Sequence, residues 1–207
     1  MPLELAQLVS EGRAAVLTME IQRGVVGDLA SFPDLASAAA DGGTIANAAR
    51  LCAAARTARV PVVHCTAGFR SDRLGSPVNA PLVASVLRRP EHMLEGTAAV
   101  ELDPELAPEK TDLFSHRRHG VSPFTGTDLD PTLRALGVST VVATGVSLNI
   151  AIVGLTIEAV NLGYRVVVAT DAVAGVPAEY ASAVLEHTLK PLARLATVDE
   201  ICACLTW

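Results

Sequence analysis

Short aliphatic runs, rich in Val and Ile, alternate along this chain with longer segments of helical periodicity. AAVLTMEI (14–21), VPVVH (60–64), DLFSH (112–116), STVVATGV (139–146) and YRVVVATDAV (164–173) have the length and composition of strands, and LATV makes a short last one. Near-continuous apolar strands belong to sheets covered on both faces. Between them, TIANAARLCAAARTA (44–58), TDLDPTLRALG (127–137), LNIAIVGLTIEAVNLG (148–163) and the stretch from Pro177 to Leu189 carry helical patterns. Strands alternating with helices predict right-handed βαβ units. The expectation is a three-layer α/β fold, Rossmann-like, with a mainly parallel sheet of about six strands and helices on both faces. Its 207 residues suit one domain, 1–207.

Composition supports this and excludes other classes. Half of the residues are hydrophobic but only 3% are aromatic, so the core is aliphatic. A net charge of −6 argues against a broad nucleic-acid footprint. No charged side chain occurs from Ala135 to Ile157, yet Gly137, Gly145 and Gly154 punctuate that stretch; a strand, a turn and a buried helix explain it better than a membrane span. MPLELAQLVSEGR has an acid at Glu4 and no basic leader, so a cytoplasmic protein is expected, with no membrane and no nucleic acid among its partners.

Local signals mark the joints. Residues 66 to 110 carry Pro77, Pro81, Pro90, Pro104 and Pro108, and are expected to form irregular binding or capping loops. Residues between the first strand and Thr44 are expected to form a loop. Thr127 and Asp130, and again Thr197 and Glu200, have capping-box spacing at helix starts. Cys52, Cys65, Cys202 and Cys204 form no C-x-x-C pair and no zinc-like set, so reduced, mostly buried thiols are expected.

The usual chemical fingerprints are missing. There is no G-x-G-x-x-G, no Walker A pattern and no G-x-S-x-G. His116 and His119 are three apart, but the adjoining arginines, Gly120 and Pro123 suggest extended or loop structure, and no further ligands lie nearby. No metal and no cofactor are expected. His64, at a strand end, is either a site residue or a hydrogen-bonded structural histidine. Arg70, Asp72 and Arg73 read as solvated.

Four segments together resemble the isochorismatase-like, or cysteine hydrolase, superfamily. VLTMEIQRG is similar to its first strand, which ends in a catalytic Asp followed one residue later by Gln. RHGVSPFTGTDLD is similar to its lysine-bearing segment, LEGTAAVELDPELAP to a connecting segment, and TGVSLNIAIVGLTIEAVNLGYRVVVATDAVAG to the stretch in which the nucleophilic cysteine opens a helix. The resemblance spans nearly the whole chain and implies the fold already expected. It also implies catalytic positions: the acid falls on Glu20, the lysine, counted back from Phe124, on Arg118, and the cysteine on Ala151. A degenerate triad follows. Gln22, His64, Phe124, Val146, Ser147 and Asn149 are the implied substrate-binding positions. The Asp-x-His of metal-binding nicotinamidases has no counterpart in HCTAGF. By analogy the Val146–Ser147 peptide is cis, and the resemblance favours a homo-oligomer, with Leu148–Leu162 as an apolar interface helix.

Ala151 cannot be a nucleophile, but its amide at a helix start is expected to keep an oxyanion-stabilising role. Some isochorismatases also lack the cysteine and use a carboxylic acid without a covalent intermediate. Three readings remain open at this point. One is a non-covalent hydrolase of a small polar metabolite, with Glu20 as acid or base and Arg118 as an electrostatic clamp. Another is a catalytically inactive ligand-binding or structural member. The last is an unrelated activity of loop residues such as His64, Ser122 or His119.

Overall fold

A computed structural model describes residues 4–9 and 13–205. Six parallel strands form one sheet in the order β3-β2-β1-β4-β5-β6. They are β1 (Ala14–Met19), β2 (Val62–Ala67), β3 (Leu113–Arg117), β4 (Thr140–Val146), β5 (Arg165–Ala174) and β6 (Arg194–Ala196). The order reverses between β1 and β4, so their carboxyl ends open a crevice where ligands bind in such sheets. The three-layer expectation holds.

Two aliphatic clusters cover the sheet, and strand alternation assigns residues to each. Ala14 and Val16 face one layer with Leu51, Cys52 and Ala55 of α3 (Thr44–Thr57) and Ile201 of α8 (Val198–Cys204). Ala15, Leu17 and Met19 face the other, with Leu129 and Leu133 of α5 (Leu129–Ala135) and Leu155 and Ala159 of α6 (Val153–Asn161). A short α1 (Leu5–Val9) and α7 (Ala178–Ala183) complete the layers. Among the described residues no helix is long and apolar enough to cross a membrane.

Gly145 fixes the geometry of the crevice. Its φ is +102°, and a Cβ there would lie 2.1 Å from the carbonyl oxygen of Met19. Only glycine lets β4 approach β1 this closely.

Several local expectations are corrected. The segment before Thr44 contains a helix, α2 (Pro33–Asp41), whose Pro33 sits in the first turn, where a missing N–H costs nothing. Residues 66 to 110 hold α4 (Pro81–Leu87) and two short 3₁₀ turns. The box at Thr197 and Glu200 forms, but the one at Thr127 and Asp130 does not. There, Thr127 Oγ1 accepts from the Leu129 amide, while Asp130 is drawn to Arg134 and Tyr164. The helix expected from Leu148 starts with a wide turn, Leu148–Ile152, before α6.

His64 sits in a buried hydrogen-bonded cluster. It is fully buried, with Nδ1 2.8 Å from Thr18 Oγ1 and Nε2 3.0 Å from Asp112 Oδ2. Asp112 also accepts two hydrogen bonds from Arg56, at 2.9 and 2.7 Å. Burial, against the pull of Asp112, holds His64 below its ordinary value. Burial also opposes ionisation of Asp112, but hydrogen bonds from Arg56, the Glu109 amide and His64 outweigh it and hold the carboxyl below the usual range. Both groups have depressed folded values, so both contribute stability that is present above their unfolded values and lost as pH falls. The urea midpoint is expected to drop from about pH 7.5 to about pH 5, as the unfolded histidine takes up a proton near its ordinary value of about 6.5. It should drop again below about pH 4, where unfolded carboxylates protonate. Asp112→Ala should cost about 3 kcal/mol in urea unfolding, because it strands a buried guanidinium.

Candidate active site

The carboxyl ends of β1, β3 and β4 and the loops above them enclose a cavity of about 450 Å³. Its floor carries Glu20, Arg117, Ser147, Asn149 and Ala151; its walls are mostly apolar, with Phe32, Phe69, Val86 and Met93 among them. That is the usual make-up of a small-molecule pocket, an apolar body with a few polar groups.

Glu20 follows β1 directly and has φ of +51°, the left-handed region that side-chain-bearing residues rarely occupy. Its amide donates to the carbonyl of Cys65, 3.0 Å away, which locks this conformation. Backbone strain of this kind concentrates at functional sites. The Glu20 carboxylate accepts from Nη2 of Arg117, and the pair is largely buried, with side-chain exposures of 16% and 7%.

The cation beside Glu20 is therefore Arg117; the expected Arg118 is displaced. Arg118 is 48% exposed and pairs with Glu95. The reason is strand alternation. Ser115 and Arg117 point inward from β3, Phe114 and His116 outward, and Arg118 lies beyond the last paired residue, Arg117 opposite Ala67. Continuing the inward step from Ser115 in DLFSHRR would have found Arg117. Two of its donors, Nε and Nη1, are buried without an acceptor among the described residues.

Other positions are sorted as clearly. Ser147 and Asn149 line the cavity with Ala151, whereas Gln22, His64, Phe124 and Val146 do not. Gln22 is buried and braces the end of β2, exchanging hydrogen bonds with the backbone of Ala67 at 2.9 and 2.8 Å and donating to Val100. Phe124 stacks on Tyr164, with centroids 5.9 Å apart. The Val146–Ser147 peptide is cis. The amides of Ile150, Ala151 and Ile152 all point at the carbonyl of Ser147, at 3.3, 2.9 and 3.1 Å. The Ala151 amide is thus engaged within the turn, against the expectation of an oxyanion donor there.

No cysteine lines the cavity among the described residues. Burial pushes the thiols of Cys52 and Cys65 up to about 12. Cys65 lies within β2. Sequence reasoning missed Ser31, Arg89 and His92, which also line the cavity. They come from loops without periodic pattern, so only the three-dimensional arrangement brings them together.

Comparison with known proteins fits this geometry. A model described as the isochorismatase domain matches residues 14–200. The chain belongs to the isochorismatase family. It is 30% identical over 190 residues to the isochorismatase family protein YecD of Escherichia coli O157:H7, covering 90% of this chain and 93% of that one. It is also 30% identical over 188 residues to the ureidoacrylate amidohydrolase RutB of Rhizobium rhizogenes, covering 85% and 74%. Among solved structures, an isochorismatase family protein from Burkholderia thailandensis superposes with a TM-score of 0.78 at 25% identity, covering 95% of this chain and 97% of that one. N-carbamoylsarcosine amidase from Thermoplasma acidophilum shares the fold, with a TM-score of 0.71 at 24% identity and coverage of 91% and 98%.

Thiolates, not thiols, react with aromatic disulfide reagents. The native protein should therefore leave Cys52 and Cys65 unmodified at neutral pH, as read by peptide mass mapping. Ala151→Cys should add one rapidly modified thiol in the cavity; its failure to react would show that the position is closed to small molecules.

Proposed function

We propose that this member of the isochorismatase family is a hydrolase of a small polar metabolite that works without a covalent cysteine intermediate. The observation carrying this reading is the largely buried Glu20–Arg117 pair on the cavity floor, two of whose N–H donors lack an acceptor among the described residues. Buried unsatisfied donors cost on the order of 1–3 kcal/mol each, and a substrate carbonyl oxygen at the floor would relieve that cost. In this reading Glu20 takes a proton from an attacking water, and Arg117 stabilises the oxyanion that develops on the carbonyl. The proton held by Glu20 then passes to the leaving nitrogen or oxygen. Glu20 and Ala151 stand where the family resemblance expects Asp and Cys, and Arg117, the neighbour of the expected Arg118, supplies the cation where Lys is expected, so the triad is degenerate in this reading. The relatives' names supply the substrates to try: ureidoacrylate, N-carbamoylsarcosine, isochorismate and nicotinamide.

A second reading, a catalytically inactive ligand-binding protein, is favoured by the engagement of the Ala151 amide with Ser147. The two readings part experimentally. Turnover of any of these compounds that falls by at least about a hundredfold in Glu20→Gln, and comparably in Arg117→Met, supports hydrolysis. Turnover unchanged in Glu20→Gln would remove Glu20 from the mechanism. A shift in melting temperature by a compound that is never consumed supports the binding protein.

We further infer a cytoplasmic homo-oligomer that associates through α6, whose Ile157 and Val160 are exposed, together with Ile150 and Leu162 at its two ends. Isolated apolar side chains on a surface are ordinary, but a cluster on one helix suits an interface. Light scattering should give a mass above that of one chain, and Ile157→Glu should lower it; a strictly monomeric native protein excludes the association.

A further inference from the structure

The cavity has a second chemically equipped region, supplied by loops instead of strand ends. Ser31 and His92 both line it, and Ser31 Oγ lies 2.8 Å from His92 Nδ1. The arrangement is held from several sides. The Ser31 amide donates to Gly24 at 3.1 Å, and its carbonyl accepts from Arg89. The His92 ring meets Phe32 edge-on at 5.6 Å and Phe69 at 6.3 Å. Arg89 in turn lies over the Phe32 ring at 4.8 Å. Burial first, then the charges of Arg89 and Arg73, lower His92 to about 4, so its imidazole is neutral near pH 7 and can accept from the serine hydroxyl. Ser31 also stands just before α2, whose first turn has no side-chain cap and whose Asp34 and Leu35 line the cavity too.

We propose that Ser31 and His92 form a nucleophile–base pair that accepts acyl groups from small esters with good leaving groups. This goes beyond the hydrolysis assigned to Glu20 and uses a different part of the same cavity. Ser31 Oγ attacks the ester carbonyl carbon and passes its proton to His92 Nδ1, forming a new carbon–oxygen bond. The tetrahedral intermediate collapses, the bond to the leaving alcohol breaks, and that oxygen takes the proton from His92. Water then attacks the acyl-Ser31 ester, again losing a proton to His92, which returns it to Ser31 as the acid departs. No oxidant, reductant or further reactant is needed. A histidine this weakly basic activates serine only modestly, which favours phenolic leaving groups that depart unaided. The apolar wall formed by Phe69, Val86 and Met93 suits an aryl or short alkyl substituent.

The test is covalent labelling of the intact chain with an alkyl fluorophosphonate, mapped by peptide mass spectrometry. One adduct is expected, on Ser31. Ser31→Ala should abolish it while keeping the urea midpoint of the native protein, and should also abolish the burst of phenol released from 4-nitrophenyl acetate. His92→Gln should slow labelling by at least about a hundredfold. No adduct, an adduct on another residue, or an unchanged rate in His92→Gln overturns the proposal. Because Ser31→Ala removes only one half-buried hydroxyl, it decides the matter even if His92→Gln does not fold. Labelling at Ser31 should persist in Glu20→Gln, and loss of labelling leaves the Glu20 assignment, read on amide turnover, untouched.

Discussion

The contact between β1 and β4 at their carboxyl ends sets everything that follows. Met19 and Gly145 are paired partners, close enough that a methyl group on Gly145 would overlap the Met19 backbone. Chain continuity then does the rest. The residue after Met19 is Glu20, held in a left-handed turn, and the residues after Val146 are the cis peptide and the wide turn carrying Ala151. Both sides of the site are thus fixed by main chain, and the side chains inherit their positions from it.

On this frame sit two buried ionic groups with opposite characters. Around Asp112, the carboxylate receives hydrogen bonds from Arg56, His64 and the Glu109 amide, and its side chain is almost wholly buried. At Glu20 the pairing is leaner: one guanidinium hydrogen bond is made and two donors of Arg117 find no acceptor among the described residues. A fully satisfied network rigidifies, whereas a partly satisfied one keeps capacity to interact. The difference separates architecture from site more sharply than burial does, since both are buried.

How much of this was legible in the sequence follows from periodicity. The apolar runs at 14–21, 139–146 and 164–173 announced central parallel strands, because short, β-branched, near-continuous apolar runs suit a doubly covered sheet. Capping chemistry at Thr197 was equally readable, since the box is local. Its failure at Thr127 came from tertiary competition, with Tyr164 and Arg134 claiming Asp130. Arg117 was missed by one residue because the count ran back from Phe124 through a loop, where no periodicity constrains it; counting inward from the strand gives the right neighbour. His64 was ambiguous because its partner Asp112 is 48 positions away. Ser31 and His92, separated by 61 positions and placed by irregular loops, left no trace in sequence.

Helix α4 shows what the cavity means for the whole molecule. It has no buried residue, yet Leu82, Val83 and Val86 line the cavity. Its apolar side therefore rests on little protein, and an apolar group held in the cavity would serve as the missing interior beneath it. If the cavity holds a small molecule, a guest that fits would complete a small hydrophobic core beneath this helix, and one that leaves a gap would carry the kind of cost that penalises a cavity-forming mutation. Selectivity on this side of the molecule is then a question of shape and volume, and the loop can diverge in sequence without disturbing the sheet that holds the polar floor.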